Sequence, residues 1–248
     1  MRENPLFREG IEIFYVEGHG LAIYFFMLII LAPVEFLSLY IPSLDVQMWT
    51  GSANLFKVCS VTVLLLMVYF AMRVANQEFA AWRFQPAKHW LREEKLSVSS
   101  VSMAQLALLL LHLLISALLC APFLIWAGAI ARTRPGAVLF TFFLLVFYSL
   151  SYSVWGLVTL ALWERKPESR QVFVRCVFFA MAIVSALIYL PLNPVAYLLS
   201  YLGQQELKPL IVGSWKWPAT MVHFGFHVLL LTLGLVACRW VLKREVAV

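Results

Sequence analysis

The chain has 248 residues, of which 62% are hydrophobic and only 13% charged, and its net charge is +6. Soluble globular domains carry about 25% charged residues, so this composition excludes the ordinary water-soluble classes. The longest polar interval, residues 73–100, is shorter than the ~50 residues that a domain with its own core usually needs. A single membrane domain covering residues 1–248 is therefore predicted.

Six apolar stretches each have about the length that a bilayer requires. A hydrocarbon core about 30 Å thick is crossed by roughly 20 residues of helix, which satisfy their own backbone hydrogen bonds. These stretches predict an all-α, polytopic fold with six transmembrane helices at residues 20–41, 55–75, 101–129, 137–163, 172–190 and 218–238.

The distribution of cations predicts the orientation. Six spans place both termini on the same side, and 14 of the 19 Lys and Arg residues fall in the segments on that side. Relative to segment length this is roughly a twofold bias, and cations in short loops are retained in the cytoplasm. Both termini are expected to be cytoplasmic. The five cations expected on the outer side are Lys57, Arg132, Arg134, Lys208 and Lys216.

The net positive charge agrees with cations that flank helices beside an anionic inner leaflet. No RNA- or DNA-binding motif is visible, and no basic run is interleaved with aromatic residues at a soluble surface. Nucleic-acid binding is therefore not expected.

The segment before the first span mixes apolar and charged residues. Leu6, Ile13 and Phe14 lie among acids and Arg8, a pattern that suits a helix in the plane of the lipid headgroups. Residues 1–19 are therefore predicted to form an interfacial helix, with a solvated tail as the alternative.

The interval between the second and third spans alternates aromatic with charged residues and contains Pro86. Two short amphipathic helices that meet at a proline would present aromatic rings to a neighbouring surface and charges to water. This pattern favours a docking platform on the cytoplasmic face, and a helix that binds only the lipid surface is the alternative.

Two further intervals have a recognisable character. Residues 163–171 form a short, densely charged turn on the same face as the platform. The outer interval Leu192–Trp217 contains the apolar run Ala196–Leu202, which is too short to cross a bilayer and is expected to pack as a short helix at the outer rim.

Taken together, these features resemble the permease subunits of ABC-2 type transporters over nearly the full length of the chain. The resemblance rests on Asn4–Glu9 before an interfacial helix, the amphipathic interval after span two, Ala121–Leu124 ending span three, the charged turn after span four, and Asn193–Pro194. Relatives often carry Gly-Thr and Thr-Pro-Leu followed by Gly-Lys before span three, whereas this chain reads Leu96–Gln105 without them.

The resemblance implies an ATP-driven exporter in a bacterial inner membrane, in which two permease chains form the path and two separate ATPase chains supply the energy. The chain has no Gly-x-x-x-x-Gly-Lys-Ser/Thr phosphate loop, so no cofactor is expected in it, and ATP and magnesium belong to the partner. A cytoplasmic coupling helix between spans two and three and the turn after span four are expected to contact the ATPase. The contact residues are Trp82, Arg83, Phe84, Lys88, Trp90, Arg92, Glu93, Glu94, Glu164, Arg165, Lys166 and Glu168.

Polar residues within the spans are candidates for the translocation path. Glu35 follows Pro33 in span one, and an acid facing lipid at the centre of a span costs about 2.5 to 3.5 kcal/mol. It lies towards the outer end, where contact with water or with Lys57 is the alternative. Tyr148 and Tyr152 in span four are further path candidates, although small polar residues in spans also assist helix packing.

Two other functional classes remain open. His112, His223 and His227 lie in spans and suggest a membrane haem or metal redox protein, with hydrogen-bonded packing as the simpler interpretation. The serines beside Tyr148 and Tyr152 suggest an intramembrane hydrolase, but no Gly-x-Ser-x-Gly or His-Glu-x-x-His motif accompanies them. The four cysteines lack metal-type spacing, so no metal site is expected. Because the catalytic motifs are missing, no enzymatic activity of this chain alone is expected either.

Overall fold

The computed structural model describes residues 4–40, 53–163, 166–212 and 214–247. After a short N-terminal helix α1 (Pro5–Ile11), six helices are long and apolar enough to cross a membrane, which confirms the prediction of a multi-pass membrane protein. They are α2 (Leu21–Tyr40), α3 (Leu55–Ala75), α4 (Val98–Ile130), α5 (Pro135–Leu162), the continuous helix Pro167–Ile188 that comprises α6 (Pro167–Phe179) and α7 (Ser185–Ile188), and α9 (Ala219–Ala247), while the short α8 (Pro194–Leu202) precedes α9.

The helices begin where the sequence provides a local start. Ser97 accepts a hydrogen bond from the backbone N–H of Ser100 at 3.1 Å, so α4 starts three residues before the predicted span. Pro135 and Pro167 each occupy a first helical turn, where the missing N–H of proline costs nothing. The π-helical turn Ala180–Val184 joins α6 to α7.

The core of the bundle is the packing of α3 against α5. Gly156 makes this close approach possible, because a Cβ atom there would lie 2.6 Å from the carbonyl oxygen of Met72. The α3 span is the most buried of the six, whereas the Pro167–Ile188 helix lies at the periphery and few of its residues are buried.

Both described termini lie at the same end of the bundle, which we call the near end. Asn4 donates hydrogen bonds to the Ser100 hydroxyl at 2.9 Å and to its carbonyl oxygen at 3.1 Å. Arg239, in the last span, donates to the hydroxyl of Ser99 at 3.3 Å. The opposite end, which we call the far end, contains the α4–α5 turn and the interval between α7 and α9. Which end faces the cytoplasm stays a prediction.

The near-end interval between α3 and α4 contains two short helical turns, one on each side of Pro86. Glu78–Ala80 is a 3₁₀ turn and His89–Glu93 is a π-helical turn, so the interval contains short turns in place of the two amphipathic helices that were expected. The π-helical turn Glu12–Val16 likewise follows α1.

The far-end interval is fastened by Asn193. Its buried amide donates to the carbonyl oxygens of Met181 and Ala182 and to the Ser185 hydroxyl at 2.9 to 3.1 Å, while its oxygen caps α8 by accepting from the N–H of Ala196. The short outer helix expected at residues 196–202 is thus present as α8. A hairpin that the all-α prediction did not include follows it. Its strands are β1 (Leu210–Val212) and β2 (Trp215–Trp217), paired antiparallel with Ile211 opposite Lys216.

Candidate functional site

The near-end platform, defined as residues 4–19 together with residues 76–96, is the candidate site. The first turn of the segment 76–96 is held by Arg73 of α3. The Arg73 guanidinium donates to Glu78 at 2.6 Å and lies 4.2 Å from the centre of the Phe79 ring. Gln77 adopts a left-handed backbone with φ of 54° and reverses the chain after α3. The segment 76–96 therefore begins with a turn that Arg73 holds through both Glu78 and Phe79.

A double hydrogen bond joins the two halves of the platform. Arg83 donates through Nε to Glu17 at 2.9 Å and through Nη2 to the other carboxylate oxygen. The Arg83 guanidinium lowers the pKa of the Glu17 carboxyl, because the charged form gains hydrogen bonds. His19 also approaches Glu17 at 3.3 Å. Two parallel N–H···O bonds give the pair a defined geometry.

Glu9 forms the second connection in a different electrostatic setting. One of its carboxylate oxygens accepts the backbone N–H of Gln85 at 3.1 Å, and the other is buried without a partner among the described residues. Burial raises the pKa of Glu9, since desolvation disfavours the charged form. The rings of Phe14 and Phe84 pack nearby, with centres 5.3 Å apart.

The residues predicted to contact an ATPase fall into three groups. Trp90 is buried and Phe84 is half-buried in the chain's own core, while Arg83 bonds to Glu17. Glu164 and Arg165 lie outside the described residues. The remaining residues are exposed or half-buried at the near end: Trp82, Lys88, Arg92, Glu93, Glu94, Lys166 and Glu168. Trp82 has 74% of its surface exposed.

The tyrosines and histidines of spans four and six form two parallel pairs. Tyr148 lies 2.5 Å from Nε2 of His223, and Tyr152 lies 3.1 Å from Nε2 of His227. Nδ1 of His223 is 2.5 Å from the carbonyl oxygen of Pro191, and Nδ1 of His227 is 2.8 Å from that of His223. A carbonyl only accepts, so each Nδ1–H donates to it and each Nε2 accepts a tyrosine O–H.

All four of these side chains are buried, and Tyr197 of α8 stacks on His223 with ring centres 3.9 Å apart. The pairs and this stacking therefore join α5, α8 and α9. The sequence contained a signal for this arrangement, because both residue types recur at a spacing of four in spans that run in the same direction.

His112 belongs to a separate network that starts in the platform. Tyr15 lies 3.2 Å from the hydroxyl of Tyr24, which is 2.9 Å from Nδ1 of His112, and the other ring nitrogen is 3.4 Å from the hydroxyl of Ser116. This chain of polar groups leads from the near end into the bundle. No cluster of three or more His, Cys, Asp or Glu side chains suited to a metal ion occurs within residues 4–40, 53–163, 166–212 and 214–247.

Glu35 borders a groove of about 510 Å³ between α2 and α4, whose walls are mostly aromatic and aliphatic. Its carboxyl group is buried, and Oε1 has no hydrogen-bonding partner within the part of the chain that the structure describes. Lys57 instead lines a different cavity. The role of Glu35 in a translocation path stays a prediction.

No protein-family model, curated protein or solved structure matches the chain.

Proposed function

We propose that the chain is the transmembrane permease subunit of an ATP-driven ABC-2 type exporter, coupled through its near-end platform to a separate ATPase chain. The observation that carries the proposal is the platform itself. In this predominantly apolar chain, residues 4–19 and 76–96 form one surface, and hydrogen bonds from Arg83 and Gln85 to Glu17 and Glu9 join its two segments. The surface exposes aromatic and charged side chains.

The connections of the platform suit the transmission of force. Asn4 caps α1 and also bonds to Ser100 in the first turn of α4, while Glu9 and Glu17 hold the segment 83–85. A displacement applied to residues 82–94 would therefore reach α1, α3 and α4 together. Nucleotide-driven closure in a partner needs contacts of this kind, because a loosely attached loop would absorb the movement.

The charged side chains of the near end differ in whether they pair with an arginine of the chain. Arg83 and Arg73 bond within the chain, whereas Glu93, Glu94 and Glu168 are exposed. His89 contacts Glu93 at 2.9 Å. In the proposed complex the exposed acids and Trp82 meet the ATPase, and the Arg83–Glu17 and Arg73–Glu78 pairs preserve the shape that it recognises.

The proposed assembly contains two permease copies, with the path where they face one another. The helix Pro167–Ile188 and α2 leave large apolar faces uncovered within one protomer. Exposed residues on these faces include Phe25, Phe36, Val172, Phe179 and Leu187. These faces are available to lipid and to a second copy.

The test is co-purification from the native membrane with a matched pair of tryptophan variants. We expect the wild-type chain to retain a phosphate-loop ATPase in a ratio near one to one. Trp82→Ala should weaken that association, whereas Trp215→Ala, which alters an equally exposed tryptophan at the far end (71% against 74%), should not. Both variants should insert normally. If Trp82→Ala retains the ATPase fully while Trp215→Ala loses it, the docking surface lies at the other end of the bundle.

A further inference from the structure

Three of the five cations predicted for the outer side line a single cavity at the far end. The cavity has a volume of about 750 Å³ and lies between the first turn of α3, the α4–α5 turn and the end of α8. Lys57, Arg132 and Arg134 contribute to its wall. The other two cations of that side, Lys208 and Lys216, lie elsewhere in the interval between α8 and α9.

We propose that this far-end cavity binds the phosphoryl group of an anionic ligand. The proposal does not depend on ATPase coupling. Phosphoryl groups reach such a site either in a lipid headgroup at that membrane surface or as a free anion, and both present the same oxygens to the cationic side chains.

The electrostatic balance of the cavity favours an anion. No Asp or Glu residue is among its described lining, and no carboxylate forms an ion pair with Lys57, Arg132 or Arg134 within the described ranges 4–40, 53–163, 166–212 and 214–247. Glu206, a described far-end acid, lines a neighbouring hollow instead. Like charges that converge without a counter-charge repel one another, and an anion between them removes that repulsion.

The backbone around the cavity adds to this field only modestly. The first turns of α3 and α5 border it through Lys57 and Gly136, and each helix N-terminus carries about half a positive charge. The C-termini of α4 and α8 also border the cavity, through Ala131 and Leu202, and offset these two contributions. The three side-chain charges therefore dominate.

The shape of the cavity suits a phosphoryl group attached to a larger molecule. Its volume of about 750 Å³ falls within the range of about 300 to 1,000 Å³ that is usual for small-molecule sites. This volume is larger than a bare phosphate requires. Thr133 and Gln204 are further polar residues of the wall, and Phe56 and Tyr201 are aromatic residues of it. Arginine guanidinium groups bind phosphate oxygens through paired N–H donors.

The first arm of the experiment measures binding of inorganic phosphate and diphosphate to the full chain in a maltoside detergent, which contains no phosphate. Isothermal titration is the readout. The double variant Lys57→Gln/Arg134→Gln is compared with Lys208→Gln/Lys216→Gln, which removes the same charge from the same end. We expect the first pair to weaken binding at least about tenfold and the second pair to change it less than about twofold.

Arg132 provides a test that separates charge from backbone conformation. It has a left-handed backbone with φ of 52°, which asparagine tolerates better than most residues. Arg132→Asn should therefore keep the turn while weakening binding about tenfold. Arg132→Lys, which keeps the charge, should retain most of the binding.

The second arm distinguishes a lipid from a free anion. Protein exchanged into nanodiscs of phosphatidylglycerol and then released into maltoside is analysed by native mass spectrometry for retained lipid. Retention by the wild type and the Lys208→Gln/Lys216→Gln control, but not by Lys57→Gln/Arg134→Gln, identifies a lipid phosphoryl group. Phosphate or diphosphate binding without lipid retention identifies a soluble anion. The proposal is overturned if neither probe binds, or if both double variants weaken binding equally.

Discussion

The two ends of the helix bundle hold their charged side chains in different ways. At the near end, Arg83 bonds to Glu17 and Arg73 to Glu78 within the chain. At the far end, Lys57, Arg132 and Arg134 line one cavity whose described wall contains no acid. Charge at the near end therefore fixes the shape of a surface, whereas charge at the far end faces a space that a ligand can enter.

A cavity at the far end can bind a ligand only if the helices there are held in fixed positions. The variant His223→Leu is expected to have the largest effect on that packing. The variant leaves the Tyr148 hydroxyl and the Pro191 carbonyl oxygen without their present partner. Each buried, unsatisfied group costs roughly 1 to 3 kcal/mol, so we expect the loss of both partners to lower the free energy of unfolding by about 2 to 6 kcal/mol. Chemical denaturation in detergent micelles measures it. Val228→Ala, exposed on the same helix, is the control, and an equal loss in both variants would remove His223 from the scaffold.

The packing of α3 on α5 supports the near end, and two glycines test it with opposite expected signs. Gly156→Ala places a Cβ atom 2.6 Å from the carbonyl oxygen of Met72, whereas Gly225 has open space around the equivalent position. We expect Gly156→Ala to destabilise the fold by about 1 to 3 kcal/mol. Gly225→Ala should stabilise it by up to about 1 kcal/mol, because alanine favours a helix over glycine.

The same denaturation experiment measures both glycine variants. Equal and small effects would mean that the two helices separate easily at Gly156. In that case the platform would lack a rigid base, and the contrast between the two ends would have to rest on the ion pairs alone.

Hydropathy made the six spans predictable, because a bilayer allows few alternatives to an uninterrupted apolar helix. The start of the fourth helix at Val98 was missed by three residues, since the capping hydrogen bond of Ser97 is local and outside the apolar run. The hairpin Leu210–Val212 with Trp215–Trp217 was also missed, because two strands of three residues carry too little pattern to be read from a sequence.

The candidate site was predictable in position but not in its contacts. The interval 76–96 could be recognised from its alternating aromatic and charged residues, yet the exposure of Trp82 and the burial of Trp90 depend on how the interval packs against the core. Similarly, the sequence identified five outer cations but could not bring three of them to one cavity. Lys57 and Arg132 are 75 positions apart in the sequence, and only the packing of α3 beside the α4–α5 turn brings them together.

The smallest expected effects come from the two acids of the platform, and they differ in sign. The pKa of Glu17 is lowered by Arg83, so the stability that Glu17 contributes is present above its unfolded pKa and is lost as pH falls through its lowered folded pKa. The pKa of Glu9 is raised by burial, so its contribution is present at low pH and is lost as pH rises through the raised pKa.

At neutral pH, Glu17→Gln should therefore loosen residues 79–86, whereas Glu9→Gln should leave them unchanged or more protected, because glutamine still accepts the Gln85 N–H without a buried charge. Hydrogen exchange followed by mass spectrometry measures this. We expect exchange up to about fivefold faster in Glu17→Gln, with Glu206→Gln at the far end as the control. Below the lowered pKa of Glu17, that variant and the wild type should converge. If both platform variants change the exchange rate in the same direction at neutral pH, the Arg83–Glu17 pair and the buried Glu9 do not act as separate connections. The near end would then be held by its aromatic packing.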